Sequence, residues 1–153
     1  MNDKLVKLSR LFDEVLLKLG SGRLADERLF VLDKNLGHTS YQLYTLRKEF
    51  ATCVDTRFEL SIGGVSFYLD RCNEVPEWAF DWIDAHEDEF KHELTILLSS
   101  RVLVEYKGRK TRLRLFDSGG NQTRQYTYWD GLGVNFWHTS NYKLCNPICK
   151  PLQ

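Results

Sequence analysis

A strict alternation of apolar and polar residues from Phe58 to Asp70 is the feature that most constrains the fold. The pair Gly63-Gly64 divides this stretch, and glycine tolerates the positive φ angles that a two-residue hairpin turn requires. The alternation predicts a hairpin, called the first hairpin below, with one apolar face on the core and one polar face in water. Its predicted cross-strand pairs are Ile62 with Val65, Leu60 with Phe67, and Phe58 with Leu69.

The same alternation returns over residues 102–106 and 111–115, and the two runs are separated by a turn near Lys107-Gly108. It predicts a second hairpin. Because side chains alternate across a strand, Arg112 and Arg114 are expected on the face opposite the leucines of their own strand, where water can reach them. A further strand from about residue 122 to 129 is predicted to follow.

Helical periodicity is clearest over residues 3–19, where leucine, valine and phenylalanine recur at intervals of three and four. A second helix is predicted from Pro76 to about residue 98, because proline is well tolerated in a first helical turn. A third, over residues 40–52, is indicated by a capping box of Thr39 and Gln42.

Residues 21–37 suit either a short helix or a buried strand, and the sequence leaves this open. The last 24 residues, 130–153, contain glycine and proline and are predicted to form an irregular tail. A chain of 153 residues with 42% hydrophobic content fits one domain with one core. We therefore expect a single α+β domain over 1–153, with an antiparallel sheet of two hairpins plus a strand and two to three helices packed on one face.

The sequence has neither a stretch of about 20 apolar residues nor an export signal, so a soluble, cytoplasmic protein without a membrane partner is expected. Its four cysteines are then expected to be free thiols, because disulfides belong mainly to exported proteins. They are Cys53, Cys72, Cys145 and Cys149.

Candidate chemical sites are incomplete in the sequence. His138, Cys145 and Cys149 lie close enough to share a zinc ion, but the second ligand pair of a zinc knuckle is missing. Glu89 and His92 form one Glu-x-x-His unit, whereas di-iron bundles need two. We therefore expect no catalytic residue, no metal and no cofactor, and the chain is not expected to be an enzyme.

Charge is sorted by segment although the chain as a whole is formally neutral. Residues 74–93 contain eight acids and one lysine, whereas residues 101–124 contain seven basic residues and two acids. Two local fields of opposite sign result, and each is able to attract a charged partner.

The acidic segment predicts a non-enzymatic protein-binding module that captures a basic partner, in the manner of an inhibitor or an immunity-type protein. Its likeness to such inhibitors is one of charge pattern alone. Carboxylates around tryptophans combine fast electrostatic association with an aromatic anchor. The candidate partner-binding residues are Trp78, Asp81, Trp82, Asp84 and Asp88.

The basic segment favours an alternative, nucleic-acid binding through residues 107–129, because arginines there lie near aromatic side chains. Its candidate residues are Arg109, Lys110, Arg112, Arg114 and Arg124. A small-molecule enzyme or ligand-binding protein is the third hypothesis. The opposite fields also allow a homodimer, or direct contact between the two segments within one molecule.

Overall fold

The structure is a computed structural model and describes residues 2–34, 40–131 and 139–150. Its helices are α1 (Asp3–Lys18), α2 (Phe80–Ala85) and α3 (Glu87–Ser99), with short 3₁₀ turns at Leu24–Asp26 and Lys48–Phe50. Its strands are β1 (Phe30–Leu32), β2 (Tyr41–Leu46), β3 (Thr56–Ser61), β4 (Gly64–Leu69), β5 (Glu77–Ala79), β6 (Arg101–Lys107), β7 (Lys110–Phe116), β8 (Gln122–Trp129) and β9 (Asn141–Cys145).

The strands form two antiparallel sheets, which confirms the expected α+β class. Sheet 1 has the order β1-β2-β3-β4-β5, and sheet 2 has the order β8-β7-β6-β9. The two predicted hairpins therefore lie in different sheets rather than in one. A continuous cluster of buried apolar side chains includes residues of α1, α3 and both sheets, so the described residues form one compact domain.

Helix α1 forms where the periodicity predicts it. The Asn2 side chain accepts a hydrogen bond from the backbone N–H of Lys4 at 2.8 Å, which satisfies a free donor of the first turn. Its apolar stripe is buried, and Phe12 stacks on Phe58 of β3 at 4.6 Å between ring centroids. This packing holds α1 against sheet 1, because a lone helix of this length is marginal in water.

The helix predicted over residues 40–52 is wrong, since Tyr41–Leu46 is strand β2 and only Lys48–Phe50 forms a helical turn. Strand β2 pairs with β1 and β3, and Tyr44 and Leu46 are buried at alternate positions along it. This strand pairing outweighs the local helical spacing. Thr39 of the proposed capping box lies outside the described residues. The open segment 21–37 contains the first 3₁₀ turn and β1.

The first hairpin forms, but two residues out of the predicted register. Ser61 pairs with Gly64, so Ile62 and Gly63 make the turn. A shift of two keeps every side chain on its predicted face. Five of the six apolar residues are buried, whereas Ile62 is 47% exposed.

The helix predicted from Pro76 is also corrected. Glu77–Ala79 is strand β5, which pairs with β4, and α2 begins only at Phe80. The helix is then interrupted at His86, whose φ and ψ of −136° and 49° are not helical, before α3 begins at Glu87. Pairing with a strand distant in sequence cannot be seen in local periodicity.

The second hairpin forms, but its turn is Gly108-Arg109 rather than Lys107-Gly108, because Lys107 pairs with Lys110. The irregular tail is corrected at Asn141–Cys145, which is strand β9 beside β6. After β9 the chain packs against the core. The backbone N–H of Cys149 donates to the carbonyl of Leu98 at 2.8 Å, and Ile148 and Cys149 are buried.

Candidate partner-binding site

An open cavity of about 530 Å³ lies beside α2 and α3 and brings together residues from both charged segments. We call it the acidic aromatic cavity. It is lined by Trp78, Trp82, Asp88, Glu89, His92, Glu93 and Arg124. Three of the five predicted partner-binding residues are therefore in its wall.

Trp78 is positioned by the short strand β5. It pairs with Val65 of β4, and its half-buried ring contacts the edge of Phe67 at 6.0 Å and that of Phe90 at 5.4 Å between centroids. Gly64 permits this close approach. A Cβ atom there would lie 2.1 Å from the carbonyl oxygen of Trp78, and its φ of +141° also suits glycine.

Trp82 is fixed by the residue that ends α2. Its ring stacks on His86 at 5.0 Å between centroids, with 18° between the planes. The His86 Nδ1 atom lies 2.9 Å from the carbonyl oxygen of Trp82. The half-buried Trp82 ring thus has a defined orientation in the cavity wall.

Carboxylates give the cavity its negative charge. Glu93 binds the Arg124 guanidinium of β8 with both oxygens, at 3.0 and 2.5 Å, and this hydrogen bonding raises the pKa of Arg124. Asp88 is fully exposed and lies 3.5 Å from Lys91, and Glu89 is exposed as well. Three carboxylates therefore line the cavity together with one guanidinium.

Two other acids of the segment turn towards α1 instead. Asp84 and Glu87 both bind Lys7, the second at 2.6 Å, and hydrogen bonds from Lys7 lower the pKa of Glu87. Asp84, a predicted partner-binding residue, is thus already paired. Asp81 is exposed on α2 outside the cavity lining.

The predicted nucleic-acid-binding residues lie on both faces of sheet 2. Arg124 is opposite Leu115 on the inner face, where it binds Glu93. Lys110, Arg112 and Arg114 alternate with the buried residues of β7 and therefore lie on the outer face. Arg109 is exposed in the turn between β6 and β7.

The cations of α1 that pair with the acidic segment were missed by sequence reasoning. Lys7 and Arg10 lie within 4 Å of acids in residues 84–87, and Lys91 binds Glu14 of α1 at 2.9 Å. Charge counted along the chain has no information on which helices pack together. The charged residues Lys7, Arg10 and Glu14 recur at intervals of three and four along α1, which places them on one face of the helix, and this spacing was the available signal.

The four cysteines are free and buried, as expected. Burial raises the pKa of each thiol, that of Cys72 to about 11. Such thiols are poor nucleophiles at neutral pH. Within the described residues no group of three possible metal ligands occurs, and His138 of the proposed zinc site lies outside them.

A larger cavity of about 690 Å³ lies beside α1 and has mainly apolar walls that include Val6 and Leu17. Several of its polar groups already have partners in the protein. Asp13 accepts a hydrogen bond from the backbone N–H of Leu24 at 2.8 Å, and the Tyr44 hydroxyl donates to Gln42 at 3.2 Å. It therefore offers a small molecule few free polar contacts.

Comparisons with protein-family models, with curated proteins and with solved structures find no match for this chain. Among the described residues, no helix is long and apolar enough to cross a membrane.

Proposed function

We propose that the protein is a non-enzymatic protein-binding module that captures a basic protein partner in the acidic aromatic cavity. The observation that carries the proposal is the placement of Trp78 and Trp82 in one cavity wall with Asp88 and Glu89, two carboxylates in excess of the Glu93–Arg124 pair. A lysine or arginine side chain of the partner would insert there. It would gain contact with the half-buried tryptophan rings and with the carboxylates at the open side of the cavity.

The surrounding acids support the kinetics of such binding. Asp88 in the cavity wall and Asp81 on α2 are exposed and extend the negative field into solvent, which steers a basic partner towards the cavity. Asp84 contributes less, since Lys7 already neutralises it. Inhibitors and immunity-type proteins that neutralise basic toxins use this combination of field and anchor, and we place the protein in that class.

Affinity capture tests the proposal. Tagged protein is exposed to lysate of the native host at low and moderate salt, and captured proteins are quantified by mass spectrometry. We expect a partner of net positive charge whose recovery falls as salt rises. Recovery should be lost with Glu89→Lys, which reverses charge in the cavity, and with Trp82→Ala.

The matched control is Asp84→Asn, which removes an acid of the same segment that faces α1, and it should retain the partner. Light scattering of the purified protein reports any homodimer. Recovery of monomer alone, or equal recovery with Glu89→Lys and wild type, would contradict the proposal.

A further inference from the structure

The outer face of sheet 2 is a second surface with its own chemistry. Register and alternation place one set of side chains there, from all four strands. We call it the outer face. Its members are Arg101, Leu103, Glu105 and Lys107 of β6, Lys110, Arg112, Arg114 and Phe116 of β7, Gln125, Thr127 and Trp129 of β8, and Tyr142 and Leu144 of β9.

Positive charge occupies the middle of the outer face. Five cations on β6 and β7 share it with one carboxylate, that of Glu105, whose side chain is only 13% exposed and lies 3.6 Å from Arg112. A hydrogen bond from Tyr142, followed by the nearby arginines, lowers the pKa of Glu105. Among the described residues, the buried Nε atoms of Arg112 and Arg114 have no hydrogen-bond partner.

Aromatic rings lie at both margins of this positive strip. Trp129 on β8 is 50% exposed and Tyr142 on β9 is 60% exposed, and these are the two outermost strands of the sheet. Three interstrand spacings, about 14 Å, and an offset of two residues along the strands separate them. The Lys110 ammonium lies 5.4 Å from the centroid of the Trp129 ring, so a cation and a stacking surface are adjacent.

We propose that the outer face binds single-stranded nucleic acid, with phosphates on Lys110, Arg112 and Arg114 and unpaired bases stacked on Trp129 and Tyr142. Cationic strips with flanking aromatic rings are the common platform of single-strand binders, because every base has a face that stacks. A duplex offers the rings no free base face. A second copy of this chain, related by a two-fold axis, would bring arginine onto arginine.

The outer face and the acidic aromatic cavity lie on opposite sides of sheet 2. Arg124 belongs to the inner face and is bound to Glu93 of α3, whereas the neighbouring strand's arginines point the other way. The polyanion is therefore not required to pass the acidic segment. This separation also makes the inference independent of the proposed protein partner.

Fluorescence anisotropy with labelled oligouridylate and oligothymidylate of about 12 nucleotides tests the inference, since single-strand sites span about 4 to 16 nucleotides. With three phosphate contacts the logarithm of affinity should fall with that of salt with a slope of about −2. Raising salt from about 50 to about 200 mM should then weaken binding roughly 20-fold. A duplex of the same length should bind more weakly.

Variants separate stacking from charge. Trp129→Ala should weaken binding at least about fivefold, whereas Trp129→Phe, which keeps a ring, should retain most of the affinity. Lys110→Gln should reduce the magnitude of the salt slope by about 0.7. Lys48→Gln, which removes an exposed cation of the 3₁₀ turn Lys48–Phe50, outside sheet 2, is the matched control and should change neither quantity.

Far-UV circular dichroism and thermal unfolding establish that each variant is folded, and Lys110→Gln and Trp129→Phe alter only partly exposed groups. Absence of salt-sensitive binding to either oligonucleotide at about 50 mM salt would overturn the inference. So would binding that polyglutamate matches in affinity and that Trp129→Ala leaves unchanged, since the face would then recognise acidic protein.

Discussion

The two hairpins share one sequence pattern but differ in what their outward faces present. In both, the inward residues are fully buried, as with Phe58 and Phe67 in the first and Leu113 and Leu115 in the second. Outward, the first hairpin carries Ser61, Ser66 and Tyr68, with one cation and one carboxylate, Arg57 and Glu59, so its outward charge is balanced. The second carries a strip of arginine and lysine between exposed aromatic rings.

The first hairpin contributes mainly to the core, whereas we propose that the second hairpin also supports a binding surface. Alternation fixes which side chains face the core, but it places no demand on the chemistry of the other face. Any polar side chains on the outward face would be hydrated. The concentration of like charge and exposed rings on the face of the second hairpin is the observation from which we propose binding there.

The largest effect is expected in the core of the first hairpin. Phe58 is fully buried and contacts the rings of Phe12, Phe30 and Tyr44 within 5.0 Å between centroids. Phe58→Ala should lower the free energy of unfolding by about 3–5 kcal/mol, because it leaves a cavity. Urea denaturation measures this.

Ile62→Ala in the turn of the same hairpin is the control, and we expect a change of about 0.5 kcal/mol or less there. Equal costs at the two sites would show that the hairpin does not pack as described.

The next effect concerns the close approach of β5 to the first hairpin. Gly64→Ala should cost roughly 2–3 kcal/mol, since the new Cβ would collide with the carbonyl of Trp78 at a φ that alanine disfavours. It should also alter the near-UV circular dichroism of the tryptophans. Gly63→Ala, where the nearest atom is at an ordinary 3.5 Å, should be much milder.

Alkaline pH should destabilise the protein through its buried thiols and phenols. Burial raises the pKa of Cys72 from 9.0 to about 11 and that of Tyr126 from 10.0 to about 12. Above about pH 9 the unfolded state loses these protons first, so the folded state becomes less favoured as pH rises towards about 12. The free energy of unfolding should fall by an amount on the order of 2 kcal/mol.

Cys72→Ala should make that pH dependence shallower between about pH 9 and 11, because it removes one of the titrating groups. Urea denaturation across this pH range measures the effect. An unchanged slope in the variant would show that Cys72 titrates alike in both states.

The smallest effect is expected at the contact between α3 and sheet 2. Glu93 and Arg124 form a bidentate ion pair. Because their side chains are 22% and 35% exposed, solvent screens this interaction. A double-mutant cycle with Glu93→Gln and Arg124→Gln should give a coupling of about 1 kcal/mol or less, which decreases with salt. A coupling of zero would mean that the pair does not hold α3 to β8.

Much of this fold could be predicted from the sequence where local pattern and tertiary packing agree. Helix α1 and both hairpins satisfy their own caps, turns and alternation. Strands β2, β5 and β9 could not be predicted, because each is stabilised by pairing with a partner distant in the chain. Leu43, Leu46 and Phe50 have helical spacing, yet Tyr44 and Leu46 are the residues that β2 buries.

The candidate site was predictable in composition but not in arrangement. The excess of acids near Trp78 and Trp82 is visible in the sequence, whereas the pairing of Asp84 with Lys7 depends on how α1 packs against α2 and α3. Likewise, Arg124 counts with the basic segment by position but binds Glu93 across the fold. The charge count shows which segment is acidic or basic, but the direction in which these charges face depends on the tertiary structure.

The most direct test of the account is the dissociation constant of the captured basic partner for two variants that remove the same charge. Glu89→Gln removes a carboxylate from the acidic aromatic cavity, and Asp84→Asn removes one that faces α1. We expect Glu89→Gln to weaken binding about tenfold and Asp84→Asn to weaken it less than about threefold. Equal effects of the two variants would contradict the account, because they would reduce the site to a diffuse negative field.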